Sequence, residues 1–293
     1  MAILVYTENW DGKLKKASYE LVNYAHAIAQ MYNTEVIALT IGKTEAGAFE
    51  ALAKYGASKL VQVTNEKLNN FVAQAYTDVI AQACAKYNAT VLIFNNNFTG
   101  RSLAPRLSVR LKAGLASGAN ALPSGTEPFV VRRKIYTGKA FVDTKITSDI
   151  KILTLNQNSY EIKENPKSAA VEAFEPNINP AHFTAVPVKV EKVTGKISLS
   201  DAEIVVSAGR GLKGPENWKM IEELATLLGA GTACSRPVAD LDWRPHDEHV
   251  GQTGKVVRPN LYIAVGISGA IQHLAGVNSS KVMVVINNDK EAP

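Results

Sequence analysis

Glycines and hydrogen-bonding side chains concentrate in the last third of the chain, in patterns that suit the binding of a phosphate-containing cofactor. Residues 209–214 read Gly-Arg-Gly-Leu-Lys-Gly and lie between a predicted strand and a predicted helix. Glycine lets the backbone turn with positive φ and approach a phosphate closely, and the start of a helix offers unpaired N–H groups to an anion. The segment therefore predicts a nucleotide site, although a tight turn without a ligand can have the same sequence.

An NAD site of the usual kind needs a further residue that this segment lacks. In such folds an Asp or Glu about 20 residues after the glycines holds a ribose hydroxyl. Residues 229–236 read Gly-Ala-Gly-Thr-Ala-Cys-Ser-Arg and contain no acid. No general acid/base constellation accompanies the glycines either, which disfavours an enzyme that acts alone with an NAD-type nucleotide.

The segment at residues 250–254, Val-Gly-Gln-Thr-Gly, combines glycines with two hydrogen-bonding side chains. Its glycines permit close backbone approach, and Gln252 and Thr253 can donate hydrogen bonds to the carbonyl or nitrogen of a ring. An ordinary turn has the same composition, so both interpretations stay open for this segment alone.

The last segment of this kind begins with an apolar strand, predicted at residues 261–265, and continues into a short helix that starts at Ser268 and Gly269. Ser268 can simply cap that helix. Alternatively, the strand end and the helix start form an anion site at the edge of a parallel sheet, where α/β folds bind ligands. In that case Gln272 and His273 face the same ligand.

Alternating strands and helices must position these segments. In the first half, predicted strands at residues 3–6, 35–40, 59–63 and 90–94 alternate with predicted helices at residues 16–30, 46–55 and 71–87. Near the C-terminus the alternation resumes with strands at 203–207, 261–265 and 281–287 and helices at 216–228 and 269–274. Such β-α-β alternation predicts an α/β protein with two domains, each a mostly parallel sheet flanked by helices.

Between these two parts the pattern changes. Predicted strands at residues 129–136, 139–142, 150–155 and 169–174 follow one another with turns between them, which favours an antiparallel extension of the first domain. Residues 175–194 contain three prolines and a Val-rich stretch at 186–193, as expected of a linker. We therefore predict domains at residues 1–190 and 191–293.

Composition excludes several classes of protein. The net charge is +5, and the basic clusters around Arg106 and Arg133 have no nucleic-acid-binding motif beside them, so a polar rim around a protein partner is favoured over nucleic acid.

The two cysteines form no disulfide framework, and the apolar runs are far shorter than the ~20 residues of a membrane helix. The chain begins directly with a strand, which suggests the cytoplasm, or the mitochondrial matrix if a presequence has been removed.

Two groups of residues have both a functional and a structural interpretation. His246 and His249 flank two acids and suggest a metal site, but their loop context and the lack of a third ligand cluster favour a solvated loop. Cys84 is predicted to be a residue of the protein core, contributed by its helix. Cys234 is open to two interpretations, a redox-sensitive thiol or a small buried side chain.

The C-terminal segments together resemble the signature of electron-transfer flavoprotein alpha subunits of the bacterial type. The N-terminal half is also similar, notably Gly-Arg-Ser-Leu-Ala-Pro-Arg-Leu at residues 100–107. The C-terminal motifs occur in the family's order: Gly209-Arg210-Gly211, Ser235-Arg236, residues 250–254, residues 261–276 and Val-Val-Ile-Asn at residues 284–287. The family's pattern continues past Pro293 with a segment that includes Ala-Asp-Tyr-Gly, so the resemblance suggests a truncated C-terminus and leaves FAD retention open.

The resemblance implies that the second domain is a Rossmann-like FAD-binding domain and that the first packs against a beta subunit. Arg236 would lie over the isoalloxazine and favour the anionic, one-electron-reduced flavin. Gln252 and Thr253 would hydrogen-bond near its N5/O4 edge, and His273 would face its pyrimidine edge. The implied cofactor-binding set is Arg210, Ser235, Arg236, Val250, Gly251, Gln252, Thr253, Ser268, Gly269, Ala270, Ile271, Gln272, His273 and Asn287.

Within that set, Arg210 and Ser235 would hold the phosphates and the ribityl chain, and Asn287 would reach the adenosine half. Residues 268–272 would contribute backbone donors.

The implied function is that of an electron carrier rather than an enzyme, with no catalytic or metal-binding residues. Electrons would come from flavin dehydrogenases, such as those that oxidise acyl-CoA, and leave to a quinone reductase in the membrane. An alpha subunit of a flavin-based bifurcating complex that uses NADH is the alternative, and a non-redox interaction subunit is a further one.

Overall fold

The computed structural model describes residues 1–45, 47–183, 185, 187–190 and 197–292. The chain divides into two compact units, residues 1–190 and 191–293. The predicted linker falls partly outside the described residues, at positions 184, 186 and 191–196, and so does Ala46 of the predicted helix at 46–55.

The first unit contains a nine-stranded sheet in the order β11-β5-β4-β1-β6-β10-β7-β8-β9. Only β8 and β9 run antiparallel to their neighbours. A separate two-stranded hairpin pairs β2 with β3. The strands are β1 (Ala2–Thr7), β2 (Asn9–Trp10), β3 (Lys13–Leu14), β4 (Glu35–Ile41), β5 (Lys59–Val63), β6 (Ala89–Asn95), β7 (Gly114–Ala119), β8 (Phe129–Ile135), β9 (Ala140–Ile146), β10 (Lys151–Leu155) and β11 (Ala170–Ala173).

Helices cover both faces of this sheet. The α-helices are α1 (Lys16–Tyr32), α2 (Ala73–Lys86) and α3 (Phe98–Leu111). One apolar cluster packs α1 against the sheet, and the other packs α2 and α3 against the opposite face. Every side chain of β1 is buried as a result, as expected for a parallel strand covered on both sides.

The predicted antiparallel extension is wrong for two of its four strands. β10 lies between β6 and β7 and is parallel to both, and β11 is parallel to β5 at the sheet edge. The two short strands β8 and β9 do form the antiparallel hairpin. Chain order alone suggested that β10 continues this hairpin, whereas its four buried side chains suit the centre of a covered sheet.

α3, β7 and the short β2–β3 hairpin were not predicted from the sequence. α3 contains Gly100 and Pro105, which are poor helix formers, and begins where the Asn97 side chain accepts a hydrogen bond from the Gly100 N–H (3.0 Å). β7 reads Gly-Leu-Ala-Ser-Gly-Ala and lacks the β-branched residues typical of strands. The predicted helix at 46–55 is instead a 3-10 helix at Glu50–Tyr55.

The second unit is a four-stranded, fully parallel sheet in the order β13-β12-β14-β15, and with the first sheet it confirms the predicted α/β class. All five side chains of β15 are exposed. Within the described ranges, no helix is long and apolar enough to cross a membrane. The elements are β12 (Ile204–Ala208), β13 (Gly231–Cys234), β14 (Leu261–Val265), β15 (Val282–Ile286), α4 (Lys219–Leu228), α5 (Arg236–Asp240) and α6 (Ile271–Val277).

Candidate cofactor site

The carboxyl ends of the four strands of the second unit form one continuous edge. The strand order reverses between β12 and β14, and parallel α/β sheets bind ligands outside the carboxyl ends at such a reversal. Backbone hydrogen bonds connect the residues that follow the strands: Ser235 N to Ala208 O (3.1 Å), Gly209 N to Val265 O (2.9 Å) and Gly266 N to Ile286 O (2.8 Å).

Three glycines let the ends of β12 and β14 pack directly on each other. A Cβ atom added at Gly209 would lie 2.3 Å from the Gly266 carbonyl oxygen, and one added at Gly211 would lie 2.6 Å from the Gly266 Cα. Gly266 itself has φ +60°. Side chains at these positions would therefore separate the two strand ends at the point where the sheet order reverses.

The prediction that residues 209–214 lead into a helix at 216–228 is confirmed, although that helix begins as a 3-10 turn. The chain makes 3-10 turns at Arg210–Leu212 and Pro215–Trp218, and α4 begins only at Lys219. Within these turns the Arg210 side chain is exposed. The glycine spacing thus reflects close packing of two strand ends rather than a helix N-terminus behind a phosphate.

The loop between β14 and α6 carries a run of available backbone donors. Ser268 is exposed and does not cap α6, because the N-cap residue is Ala270 and no side chain accepts a cap hydrogen bond there. Gly269 has φ +74°. In the part of the chain that the structure describes, the N–H groups of residues 268–272 donate to no backbone carbonyl. The loop therefore presents consecutive donors to an anion or a carbonyl oxygen.

The segment at residues 250–254 packs against α6 and connects it to β13. The Gln252 N–H donates to the Gln272 carbonyl (2.7 Å), and the Val250 N–H donates to the Cys234 carbonyl (3.1 Å). A Cβ atom at Gly276 would lie 2.5 Å from the backbone nitrogen of Gly251. The side chains of Gln252 and Thr253 are exposed, so both remain available to a ligand beside this edge.

Arg236, the first residue of α5, meets this segment. Its Nη1 lies 3.4 Å from the Thr253 Oγ1, and its Nε lies 3.4 Å from the Asp240 carboxylate. Among the described residues only these two long contacts hold the Arg236 guanidinium, and 61% of the side chain is exposed. The structure thus brings Arg236 and Thr253 of the predicted set together. It also leaves the guanidinium exposed, so that it can face a bound group.

His273 is buried in the same region. Its Nε2 lies 2.9 Å from the hydroxyl oxygen of Tyr262, and its Nδ1 is buried without a hydrogen bond among the described residues. Burial lowers the pKa of His273, the backbone of Val250 partly opposes this effect, and His249 adds to it. The imidazole is therefore neutral at pH 7, with one ring nitrogen that lacks a partner.

The predicted solvated loop around His246 is wrong for two of its residues. Glu248 and His249 are buried, and Glu248 receives two hydrogen bonds from Arg244 (2.7 and 2.8 Å). Arg244 also reaches Glu222 (2.6 Å). Glu248, one of the two acids between the histidines, is thus engaged in an ion-pair network, and no cluster of metal ligands is found in the described ranges. Sequence reasoning missed Arg244 and Tyr262, because Arg244 stands in no recognisable motif and Tyr262 appeared only as one residue of an apolar strand.

Both cysteines are expected to resist alkylation in the folded protein. Cys84 and Cys234 are buried, and burial raises the pKa of the first thiol to about 11 and that of the second to about 12. Since the thiolate is the reactive form, the rate at pH 8 should be lower than that of a free cysteine by roughly a hundredfold or more. Iodoacetamide labelling followed by intact mass should show no adduct in buffer and two adducts in urea. Rapid labelling of Cys234 in buffer would restore its interpretation as a redox-sensitive thiol.

The second unit is a parallel α/β domain whose carboxyl edge presents glycine turns, backbone amides that donate to no carbonyl among the described residues, and an exposed arginine. These features define a binding domain for a nucleotide-type cofactor. Residues 3–179 match the family model described as the electron transfer flavoprotein domain, and residues 198–278 match that of the electron transfer flavoprotein FAD-binding domain. The chain belongs to the electron transfer flavoprotein alpha-subunit family.

Similar proteins agree with this assignment over nearly the whole chain. The electron transfer flavoprotein subunit alpha of Syntrophomonas wolfei is 36% identical over 99% of this chain and 90% of its own length. That of Bacillus subtilis is 36% identical over 99% of this chain and 89% of its own length. A protein named FixB from Clostridium saccharobutylicum is 31% identical over 99% of this chain and 90% of its own length.

The second unit is accordingly the FAD-binding domain, as predicted. The edge described above lies in this domain, and every predicted site residue except Asn287 falls within the matched residues 198–278. Asn287 follows β15, and its Nδ2 donates to the Ile267 carbonyl (3.2 Å). The individual roles of the site residues are proposals, which we develop next.

Proposed function

We propose that this chain is the FAD-carrying subunit of an electron carrier, which accepts electrons from flavin dehydrogenases and delivers them to a quinone reductase of the respiratory chain. The observation that supports this most is the contact of the exposed Arg236 with Thr253 at the carboxyl edge of the sheet, where residues 268–272 also offer backbone donors. When bound, the flavin supplies the redox chemistry, while the protein supplies orientation and electrostatics.

A second group of polar residues suits the phosphates, the ribityl chain and the adenosine of FAD. Exposed Arg210 and the backbone donors of residues 268–272 offer positive charge and N–H groups to phosphate oxygens. Ser235 follows β13 at the same edge, within reach of the ribityl hydroxyls. Asn287 follows β15 and is held to the Ile267 carbonyl, on the side that we assign to the adenosine.

The part of the site that we assign to the isoalloxazine ring combines one positive charge with neutral hydrogen-bond donors. Arg236 supplies the positive charge of a planar guanidinium. Thr253 and Gln252 offer hydroxyl and amide donors beside it. His273 is neutral and therefore offers a hydrogen bond rather than a second full charge. Together these groups stabilise negative charge on the ring and so favour its reduced, anionic forms.

The likeness to subunits named alpha supports a heterodimer with a beta subunit, with the first unit as the contacting domain. The exposed basic residues of α3, Arg101, Arg106, Arg110 and Lys112, would form a polar rim around that partner. The bacterial relatives are consistent with the cytoplasmic location expected from the sequence. Donor dehydrogenases, such as those acting on acyl-CoA, and the acceptor quinone reductase are then transient partners.

This function can be tested by measuring which electron donors reduce the bound flavin. The chain, purified with its partner subunit and FAD, should lose its flavin absorbance when a catalytic amount of acyl-CoA dehydrogenase and an acyl-CoA are added, but not with the acyl-CoA alone. Rapid reduction by NADH without a dehydrogenase would favour the bifurcating alternative. A flavin that no dehydrogenase reduces, although dithionite does, would contradict the carrier function.

A further inference from the structure

A buried ion pair closes the turn that precedes the segment at residues 250–254. Arg244 donates to both carboxylate oxygens of Glu248, through its Nε (2.7 Å) and its Nη2 (2.8 Å). The two side chains are only 13% and 5% exposed, and they flank the 3-10 turn at His246–Glu248. Bidentate pairing of this kind fixes orientation as well as distance. The pair therefore holds the backbone between residues 244 and 248 closed.

The same guanidinium also attaches this turn to α4. Its Nη1 donates to the Glu222 carboxylate (2.6 Å), and its central carbon lies 5.3 Å from the centroid of the Trp218 ring. Trp218 is buried in the apolar cluster that packs α4 on the sheet. The Glu222 side chain is half exposed, so water screens its contact more than it screens the buried pair with Glu248. The pair with Glu248 is therefore the stronger of the two restraints.

Glu248 stands shortly before the point where the segment joins β13. The Val250 N–H donates to the carbonyl of Cys234, the last residue of β13 (3.1 Å). Arg236 follows two residues after Cys234, and its Nη1 lies 3.4 Å from the Thr253 Oγ1. The register between the segment and β13 therefore decides which side chain of the segment meets Arg236.

We propose that Arg244 is a positioning residue of the cofactor site, which holds the segment at residues 250–254 in register with β13 through Glu248. Arg244 acts through the backbone rather than by touching a ligand, since two carboxylates and an aromatic ring engage its guanidinium. Its effect on FAD rests on the function proposed above, whereas its effect on the segment does not.

Loss of the ion pair should loosen the segment without unfolding the domain. Arg244→Met removes the charge but keeps a long, adaptable side chain against Trp218. In the full chain, peptides that cover residues 248–256 should then exchange amide hydrogens roughly tenfold faster, while peptides that cover residues 203–212 keep their rate. The affinity for FAD should fall roughly 5- to 50-fold, as expected when one or two ordinary hydrogen bonds are lost.

Three further variants separate positioning from general stability. Glu248→Gln keeps the shape of the acceptor but removes its charge, so it should show both effects in weaker form. Arg244→Lys keeps a cation without the planar fork and should recover part of the affinity. Glu222→Gln is the matched control, because it weakens the other restraint of the same arginine. It should leave exchange over residues 248–256 and FAD affinity as in wild type.

Hydrogen exchange of the apoprotein decides this inference independently of FAD. Exchange over residues 248–256 that Arg244→Met and Glu248→Gln both leave unchanged would contradict it. Equal acceleration across the whole second unit, with unchanged FAD affinity, would also contradict it, because the pair would then only stabilise the fold. If Arg244→Met does not fold, Glu248→Gln and Arg244→Lys still decide. A wild-type chain that binds no FAD would count against the proposed function and leave the exchange result valid.

Discussion

Replacing Gly266 with alanine should destabilise the second unit by about 2–5 kcal/mol and weaken FAD binding strongly. Gly266 has φ +60°, a conformation that costs a residue with a Cβ roughly 1–2 kcal/mol. The new Cβ would also lie 2.8 Å from the Gly211 Cα and 3.0 Å from its carbonyl carbon. Because those atoms are backbone, relief requires the ends of β12 and β14 to separate, at the edge where the cofactor site is built.

Gly229 offers a matched control for this substitution. It also has a left-handed φ, +59°, but nothing lies within 4 Å of a Cβ built there. Gly229→Ala should therefore show only the conformational cost, about 1–2 kcal/mol, with unchanged FAD affinity. Urea unfolding of the apoprotein and FAD titration compare the two variants. Equal losses at both positions would mean that the contact between Gly211 and Gly266 is not needed.

Replacing Arg236 with alanine should lower the reduction potential of the bound flavin. The guanidinium is exposed and reaches Thr253 at 3.4 Å, so it can stabilise negative charge on a ring placed over it. A hydrogen bond to a charged group contributes about 1.5–3 kcal/mol, which corresponds to roughly 60–130 mV for one electron. The exposure of Arg236 favours the lower end of that range.

Two further variants separate the charge of Arg236 from its shape. Arg236→Lys keeps the cation but loses the planar fork, so it should recover part of the potential. Lys163→Ala removes an exposed cation of the other unit, paired with Glu161 (3.2 Å), and should leave the potential unchanged. Equal potentials in wild type and Arg236→Ala, measured by spectroelectrochemistry, would show that Arg236 does not act on the flavin.

Local patterns predicted the elements of this protein well, whereas the long-range pairing of its strands could not be predicted. The bounds of β5 (Lys-Leu-Val-Gln-Val) and β14 (Leu-Tyr-Ile-Ala-Val) agree with the sequence pattern, because short segments rich in apolar and β-branched residues between turns indicate strands. The place of β10 depends on which strands it joins, and no local signal specifies that. α3 was missed because Gly100 and Pro105 obscure its helical period, while the Asn97 cap that starts it involves a single residue.

The same limit on prediction from the sequence applies to single residues of the site. Glycine spacing and small polar loops pointed to the carboxyl edge of the second sheet, but they did not show the 3-10 turn at Arg210–Leu212 or that Ser268 leaves α6 without a side-chain cap. Tyr262 appears in the sequence as one residue of an apolar strand. Its contact with His273 arises only when α6 packs on the sheet, so the partner of the imidazole could not be predicted.

The most direct test of the account is FAD binding by the full chain purified together with its partner subunit. We predict a yellow protein with one FAD per chain, whose stepwise reduction by dithionite passes through a stable, red, one-electron-reduced flavin before bleaching. Arg236→Ala should lose that one-electron stage. A wild-type protein that stays colourless after incubation with excess FAD, while circular dichroism shows it to be folded, would contradict the account.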